Sequence, residues 1–284
     1  MIDIQVSTLP AIPAPRPVDS HKGDFGSVGI LGGAPGMCGA ALLAGRAALL
    51  GGAGRVYVGL LDARLGADLL MPELMLADPE RLLLLPPPAC LVCGPGLGQS
   101  AAARQWLEAA LKVEHALLLD ADALNLIAAD DGLRARVRAR NASTVVTPHP
   151  GEAARLLGLS AAEVQRDRQA AVQALAADLN AVAVLKGAGT LVLGAGSRLW
   201  RNPGGNPGMA APGMGDVLAG LIAALVAQGL SAENAAVLGV WLHATAGDAA
   251  AMAGAGPIGL TASEVARHAR AELNRLVTEL ARTV

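Results

Sequence analysis

Aromatic residues are nearly missing from this chain. Phe, Trp and Tyr together make up 2% of its 284 residues, with one Phe and one Tyr. Hydrophobic residues still reach 53%, so a core has to be built from Ala, Leu and Val. The shortage of aromatics also removes the platforms on which single-stranded nucleic acid stacks. Positive charge is not in excess either: the net charge is -2, which argues against nucleic acid as a main partner. No uninterrupted apolar run is long enough for a membrane span; the best is bounded by Asp216 and Gln228, and the next contains His243. The first residues carry Asp3 and a series of prolines instead of a basic region followed by an apolar one, so no signal peptide is read and a cytoplasmic protein is expected. Cysteines number 3, an odd count that speaks against a disulfide framework. Cys90 and Cys93 form a C-x-x-C, but CLVC reads as a buried strand, where positions three apart face opposite ways. No second pair of ligands supports a metal there.

What the chain does have is glycine, 35 residues of it, and apolar runs separated by glycine-rich loops. Strands are expected at 27–33, 55–61, near 72–77, at 90–93, 116–122, 144–147 and 181–187, with a hairpin at 190–200 turned by Gly194, Ala195 and Gly196. Helices are expected at 40–50, 101–112, from 215, and at 232–252. Two capping boxes, Ser160 with Glu163 and Thr261 with Glu264, predict helices running to about 179 and 282. Residues 1–22 read as an extended lead-in, since four prolines forbid a helix. Alternating strands and helices indicate one α/β domain over 1–284, a mainly parallel sheet with helices on both faces. Ligands bind such sheets at the carboxyl ends of the strands, where the polar and glycine-rich loops fall.

The most informative stretch is 202–229, NPGGNPGMAAPGMGDVLAGLIAALVAQG. Its first part is too rich in Gly and Pro for a regular element, and its second is a nearly all-apolar helix. Gly213, Gly215 and the helix start leave backbone N–H groups without intrahelical acceptors, at the positive end of the helix dipole, which favours an anion. Asp216 lies in the same first turn. It either complements the dipole or acts as a base beside the anion; the surrounding glycines and the buried helix behind them favour the base.

Other nucleotide motifs fail. GPGLGQ lacks the last glycine of a dinucleotide fingerprint, ILGGAPG has the wrong spacing, Lys186 stands between Leu185 and Gly187 and makes no P-loop, and no G-x-S-x-G occurs. Lys186, followed by Gly187, Gly189 and Thr190, reads as an ordinary strand-end lysine or as a charge along a nucleotide's phosphates. His149 is held between Pro148 and Pro150 at a strand end. Asp120 and Asp122 either cap the next helix or hold a water-coordinated Mg²⁺. His243 and Asp248 read as core residues of an Ala-rich helix, and Arg134, Arg136, Arg138 and Arg140 as a solvated face.

Taken in order, GMCGAALLAG, CGPGLGQS, LLLDADALNLIA, TPHPGEAARLLG, LKGAGT and NPGMA with GMGDVLAG make the sequence, from His21 to about Met252, resemble the ADP-dependent NAD(P)H-hydrate dehydratases. The resemblance implies a ribokinase-like fold. It implies repair of the S epimer of hydrated NADH or NADPH, by phosphorylation of the C6 hydroxyl from ADP and elimination of the phosphate. It implies Asp216 as base and substrate contact, Lys186, Gly187, Ala188, Gly189, Thr190 and Gly215 at the nucleotide, and Ala40, Gly98 and His149 at the hydrated dinucleotide. Mg²⁺ dependence, a homotetramer and a separate epimerase partner are implied too, since the residues before His21 leave no room for a fused epimerase. Pro212 stands where the family usually has glycine, which removes one N–H from the loop. The nearest rival is a ribokinase-like kinase of a vitamin precursor such as hydroxymethylpyrimidine or hydroxyethylthiazole. A non-catalytic nucleotide-binding regulator is the rival from another class.

Overall fold

The computed structural model describes residues 1–284 apart from 87, 195–197, 283 and 284, and describes 280 and 281 without their side chains. The chain begins with β1 (Ile2–Asp3) and a 3-10 turn, then runs β2 (Ser27–Gly32), α1 (Cys38–Leu50), β3 (Arg55–Leu60), β4 (Met75–Ala77), α2 (Pro79–Leu84), β5 (Cys90–Cys93) and α3 (Ala101–Ala110). It continues with β6 (Ala116–Leu119), α4 (Asp122–Ala128), α5 (Asp131–Arg138), β7 (Thr144–Val146), α6 (Pro150–Leu157), α7 (Ala161–Arg166) and α8 (Arg168–Leu179). It closes with β8 (Val182–Leu185), β9 (Thr190–Leu193), β10 (Trp200–Asn202), α9 (Met214–Ala227), α10 (Ala232–Ala253) and α11 (Ala262–Ala281). Among the described residues, one sheet is ordered β1-β10-β9-β8-β7-β6-β5-β2-β3-β4. All its pairings are parallel except β8 with β9 and β9 with β10.

The sheet is apolar on both faces because each strand alternates. In β5, Cys90 and Val92 join the layer formed by α1, α9, α10 and α11, while Leu91 and Cys93 join the layer of α2 to α8. The two cysteines of the C-x-x-C therefore lie on opposite sides of the sheet, and burial pushes both thiols up to about 12. With few aromatics available, helices approach closely. A Cβ on Gly220 of α9 would lie 2.1 Å from the Ala44 carbonyl of α1, so this crossing requires glycine.

Several expectations need correction. The lead-in is extended except for the 3-10 turn at Val6–Thr8, ahead of the prolines, and it belongs to the fold: β1 pairs in parallel with β10 at the sheet edge, and Ile4 is buried. The strand expected over 116–122 stops at Leu119, and Asp122 is already helical. The helix expected to run unbroken from Ser160 to Leu179 is two helices. Its capping box forms as predicted, but at Asp167 the backbone leaves the helix (φ -138°, ψ 75°) and the carboxylate accepts from Ala170 N at 2.9 Å. A new cap replaces the continuing ladder. The hairpin pairing of β9 with β10 is present, while its expected turn lies mostly outside the described residues. Arg140 departs from the solvated face: it is buried, and its guanidinium donates to the carbonyls of Leu111, Val113 and His115 and to Thr144 Oγ1 at 2.7–3.0 Å. Arg134, Arg136 and Arg138 do remain near the surface, paired with Asp178 and Glu108.

Candidate active site

At the carboxyl ends of β5 to β8 the loops turn sharply and bring acidic side chains together. Gly94 has φ +131°, and a Cβ there would fall 1.8 Å from the Asp120 carbonyl. Directly after Asp120, Ala121 takes φ 50° and ψ -116°, a conformation that costs a non-glycine residue about 1–3 kcal/mol. The kink sends the two neighbouring carboxylates to different partners. Asp120 Oδ1 accepts from Lys186 Nζ at 2.6 Å, and Asp122 Oδ2 accepts from Gly98 N at 2.8 Å. Asp122 thus leads α4 while fixing the loop that ends in Gly98. A Cβ on Gly96 of that loop would meet the Met37 carbonyl at 2.4 Å and Ala40 Cβ at 3.2 Å. Ala40 and the loop ending in Gly98 therefore border the same rim.

His149 caps α6. Its Nδ1 accepts from Gly151 N at 2.9 Å and Glu152 N at 3.3 Å, and Pro150 supplies the preset first helical position. Glu152 Oε2 accepts in return from His149 N at 2.8 Å, a capping box whose N-cap is a histidine in place of the usual Ser or Thr. Burial, followed by Lys186 and Arg155, lowers the His149 pKa. The imidazole is neutral, with Nδ1 occupied as acceptor and Nε2 carrying the hydrogen. Glu152 is 5% exposed and Asp120 1% exposed, and Lys186 Nζ stands 2.6 Å from Asp120 and 3.8 Å from Glu152. One ammonium compensates two buried carboxylates. Burial acts to lower the Lys186 pKa, but Asp120, Glu152 and Asp216 outweigh it and raise the value. Glu152 was not singled out from the sequence, although H-P-G-E at a strand end carries the capping-box spacing.

The N-terminus of α9 faces this cluster. Gly213 is its N-cap at φ 84° and contributes no side-chain cap, so the N–H groups of Met214, Gly215 and Asp216 have no acceptor among the described residues. Pro212 precedes the cap, and its missing N–H is not one of these first-turn donors. Gly215 brings the backbone close to the charged pair: a Cβ there would lie 3.1 Å from Lys186 Nζ and 3.6 Å from Asp120 Oδ2, so a side chain would crowd the ammonium. Asp216 is half-buried, and its pKa is raised from 3.8 to about 7, first by burial and then by Asp120, with Lys186 opposing. A carboxylate poised near neutral pH, beside free N–H donors and a compensated ammonium, can accept a proton while an anion is held next to it.

Beside this cluster opens a cavity of about 470 Å³ lined by Lys186, Gly187, Ala188, Gly189, Thr190 and Gly215, and on its far side by residues 202–207 and by Met209, Met214 and His243. Of the candidate residues, the six assigned to the nucleotide all line this cavity. Asp216, Ala40, Gly98 and His149 lie outside its lining, Asp216 next to the lining residue Gly215, while Asp120, Lys186 and Glu152 link the cavity to His149. The core reading holds for His243 in its burial, with Nε2 buried and without a partner among the described residues, but not for Asp248. His243 lines the cavity, with burial lowering its pKa to about 4, and Asp248 accepts from Gly205 N at 3.0 Å and Asn206 Nδ2 at 2.9 Å, holding the glycine-rich wall. In an Ala-rich helix the sequence offers no sign of which residues face a loop. Among the described residues no group of three or more His, Cys, Asp or Glu could hold a metal ion.

Comparison with known proteins shows the family and the fold. A profile of the NAD(P)H-hydrate dehydratase family matches residues 28–269. An ADP-dependent (S)-NAD(P)H-hydrate dehydratase of Neisseria meningitidis is 41% identical over 93% of this chain and 90% of its own. A bifunctional NAD(P)H-hydrate repair enzyme of Coxiella burnetii is also 41% identical, over 94% of this chain but 54% of its own, so this chain spans about half of that relative. Among solved structures, an ADP/ATP-dependent NAD(P)H-hydrate dehydratase of Bacillus subtilis, co-crystallised with ATP and Mg²⁺, superposes with a TM-score of 0.80 at 27% identity, covering 97% of each chain. A ribokinase-like superfamily protein of Enterococcus faecalis gives 0.83 at 28%, covering 97% and 96%. The fold is ribokinase-like, and the match along nearly the whole length makes this chain a member of the NAD(P)H-hydrate dehydratase family.

Proposed function

We propose that this protein, read as a single domain, dehydrates the S epimer of hydrated NADH or NADPH at the expense of ADP. ADP occupies the cavity along residues 186–190, and the hydrated dinucleotide lies toward Ala40, Gly98 and His149. The cavity volume falls within the range of small-ligand sites, and the unpaired N–H groups of α9 and of the 186–190 loop suit phosphates. Asp216 takes the proton of the C6 hydroxyl as its oxygen attacks the terminal phosphorus of ADP, and AMP leaves. The N–H groups of Met214 and Gly215 hold the transferred phosphoryl. The C6–O bond then breaks toward phosphate, pushed by the lone pair of the ring nitrogen, and loss of a proton from C5 restores the reduced nicotinamide. Phosphate leaves where hydroxide would not. His149, with Nδ1 engaged in its cap, offers Nε2–H to the substrate and takes no proton.

Mg²⁺ belongs to the proposal as a companion of the nucleotide. With no protein cage among the described residues, the nucleotide's own phosphates would be its main ligands. A homotetramer, a cytoplasmic location and a separate epimerase supplying the S form are further parts of the reading. The observation that carries it is the Asp216 carboxylate, held near pKa 7 at an uncapped helix N-terminus. The deciding experiment incubates hydrated NADH with ADP, Mg²⁺ and the protein, and follows recovery of the reduced-nicotinamide absorbance. No recovery, or a stable phosphorylated product, would refute dehydration.

A further inference from the structure

We infer that Arg168 is a positioning residue for the nucleotide, one that shapes residues 186–190 from behind; this rests on the reading of that segment as the ADP site. The break at Asp167 places Arg168 at the first position of α8, directly behind the segment. Its Nη1 is fixed by Gln165 Oε1 at 2.8 Å. Its Nη2 donates to three backbone carbonyls, Leu185 at 3.0 Å, Lys186 at 3.2 Å and Gly189 at 3.4 Å. Thr190 Oγ1 donates to a further carbonyl, that of Gly187, at 2.8 Å. The tight path needs Gly187 at φ +120° and Gly189 at φ +66°, and a Cβ on Gly187 would meet Arg168 Nη1 at 3.3 Å.

A peptide unit is planar and trans, so its N–H points opposite to its C=O. With the Lys186 carbonyl drawn onto the guanidinium and the Gly187 carbonyl onto Thr190, the N–H groups of Gly187 and Ala188 are turned away from those partners. Neither has an acceptor among the described residues. The segment thus offers donors to the cavity it lines, a concave set of N–H groups of the kind that binds phosphate. Without the guanidinium, the carbonyls can be satisfied by water on the half-exposed side. Nothing then prevents a peptide flip that would present oxygen to the phosphates. Arg168 would act on ADP through the backbone, without touching it.

The test compares Arg168→Met, Arg168→Lys and Arg168→Ala with the unaltered protein. ADP affinity is measured by calorimetry, which needs no turnover, beside KM for hydrated NADH, kcat and the thermal midpoint. Arg168→Met should weaken ADP binding by about ten- to a hundredfold, the worth of hydrogen bonds to a charged group, with KM for the hydrate kept within about twofold. Arg168→Lys should fall between, since it keeps the charge and loses the fork. Added methylguanidinium should restore ADP binding to Arg168→Ala. Unchanged ADP affinity in the methionine variant, or equal weakening toward ADP and hydrate with a lowered thermal midpoint, would overturn the assignment. If the methionine and alanine variants do not fold, unchanged ADP affinity in Arg168→Lys overturns it alone. An unaltered protein that binds no ADP would refute the reading of the site itself, a different failure from that of Arg168.

Discussion

Replacing Asp216 with Asn should make the protein a poorer catalyst and, at alkaline pH, a more stable one. Both effects come from the same carboxylate. Its pKa moves from 3.8 to about 7 on folding, chiefly through burial and then Asp120. Between those values the folded state binds more protons than the unfolded state, so the contribution of Asp216 to stability is fully present below 3.8 and is lost as pH rises through about 7. The gap of roughly 3 pH units, at about 1.4 kcal/mol each, sets a ceiling of about 4 kcal/mol. Water reaches the half-buried group and reduces this to about 1–3 kcal/mol. A first-turn carboxylate ordinarily stabilises its helix by about 0.3–1 kcal/mol, so burial, together with the neighbouring acids, reverses the usual sign. Asn keeps the size of the side chain and never ionises. Thermal midpoints of variant and wild type should nearly coincide at about pH 4, and the variant should melt about 2–10 °C higher at about pH 8. Its kcat for hydrate repair should drop by about 10²–10⁴-fold. Thermal scans across this pH range, with turnover measured beside them, check both. A variant whose thermal advantage does not grow with pH would show that burial and the neighbouring acids do not raise the Asp216 pKa. Near-wild-type turnover would remove it as the base.

In the wild type, kcat/KM should fall as pH drops below about 7, because Asp216 must be ionised to accept a proton; a limb near 4 would contradict the raised value. Lys186→Met leaves Asp120 and Glu152 buried without their cation and should cost about 3–5 kcal/mol. Adding Asp120→Asn should recover part of that loss, and a denaturation double-mutant cycle showing simple additivity would deny the coupling. His149→Ala should lower stability by about 1 kcal/mol through loss of the α6 cap. It should also raise KM for the hydrate while turnover survives; loss of a pH–rate limb in this variant would make His149 the acid or base. Gly220→Ala should destabilise by about 1–3 kcal/mol through overpacking against Ala44, and a neutral effect by chemical denaturation would refute the tight crossing.

Much of the sheet could be read from the sequence because its strands are buried on both faces and show as bounded apolar runs. Two-residue β1 could not, since a pairing that short beside four prolines leaves no periodic signal. The break at Asp167 was hidden within Ala-rich sequence that suits a continuous helix equally well, and only the tertiary use of Arg168 distinguishes the two. At the site, Asp216, Lys186 and His149 were marked by their glycines and prolines. Glu152 was hidden by its cap, since His149 is not a usual N-cap residue. Arg140 stood in an evenly spaced basic run, and nothing local distinguished the member that turns inward. His243 and Asp248 depend on which side of α10 faces the loop at 202–207, which long-range packing decides.

The contact at Gly220 also determines which parts of this molecule can move. A helix whose backbone rests on a neighbour's carbonyl cannot slide or roll without forcing the next side chain, Leu221 or Ala219, into the same gap. The end of α9 that carries Asp216 is thus a stationary stop. Any closure around ligands has to come from the glycine-rich wall at 202–207, since the 186–190 turn is itself held by Arg168 and Thr190. With that end clamped, the Asp216 carboxylate keeps its place beside Lys186 and Asp120 whatever the wall opposite does.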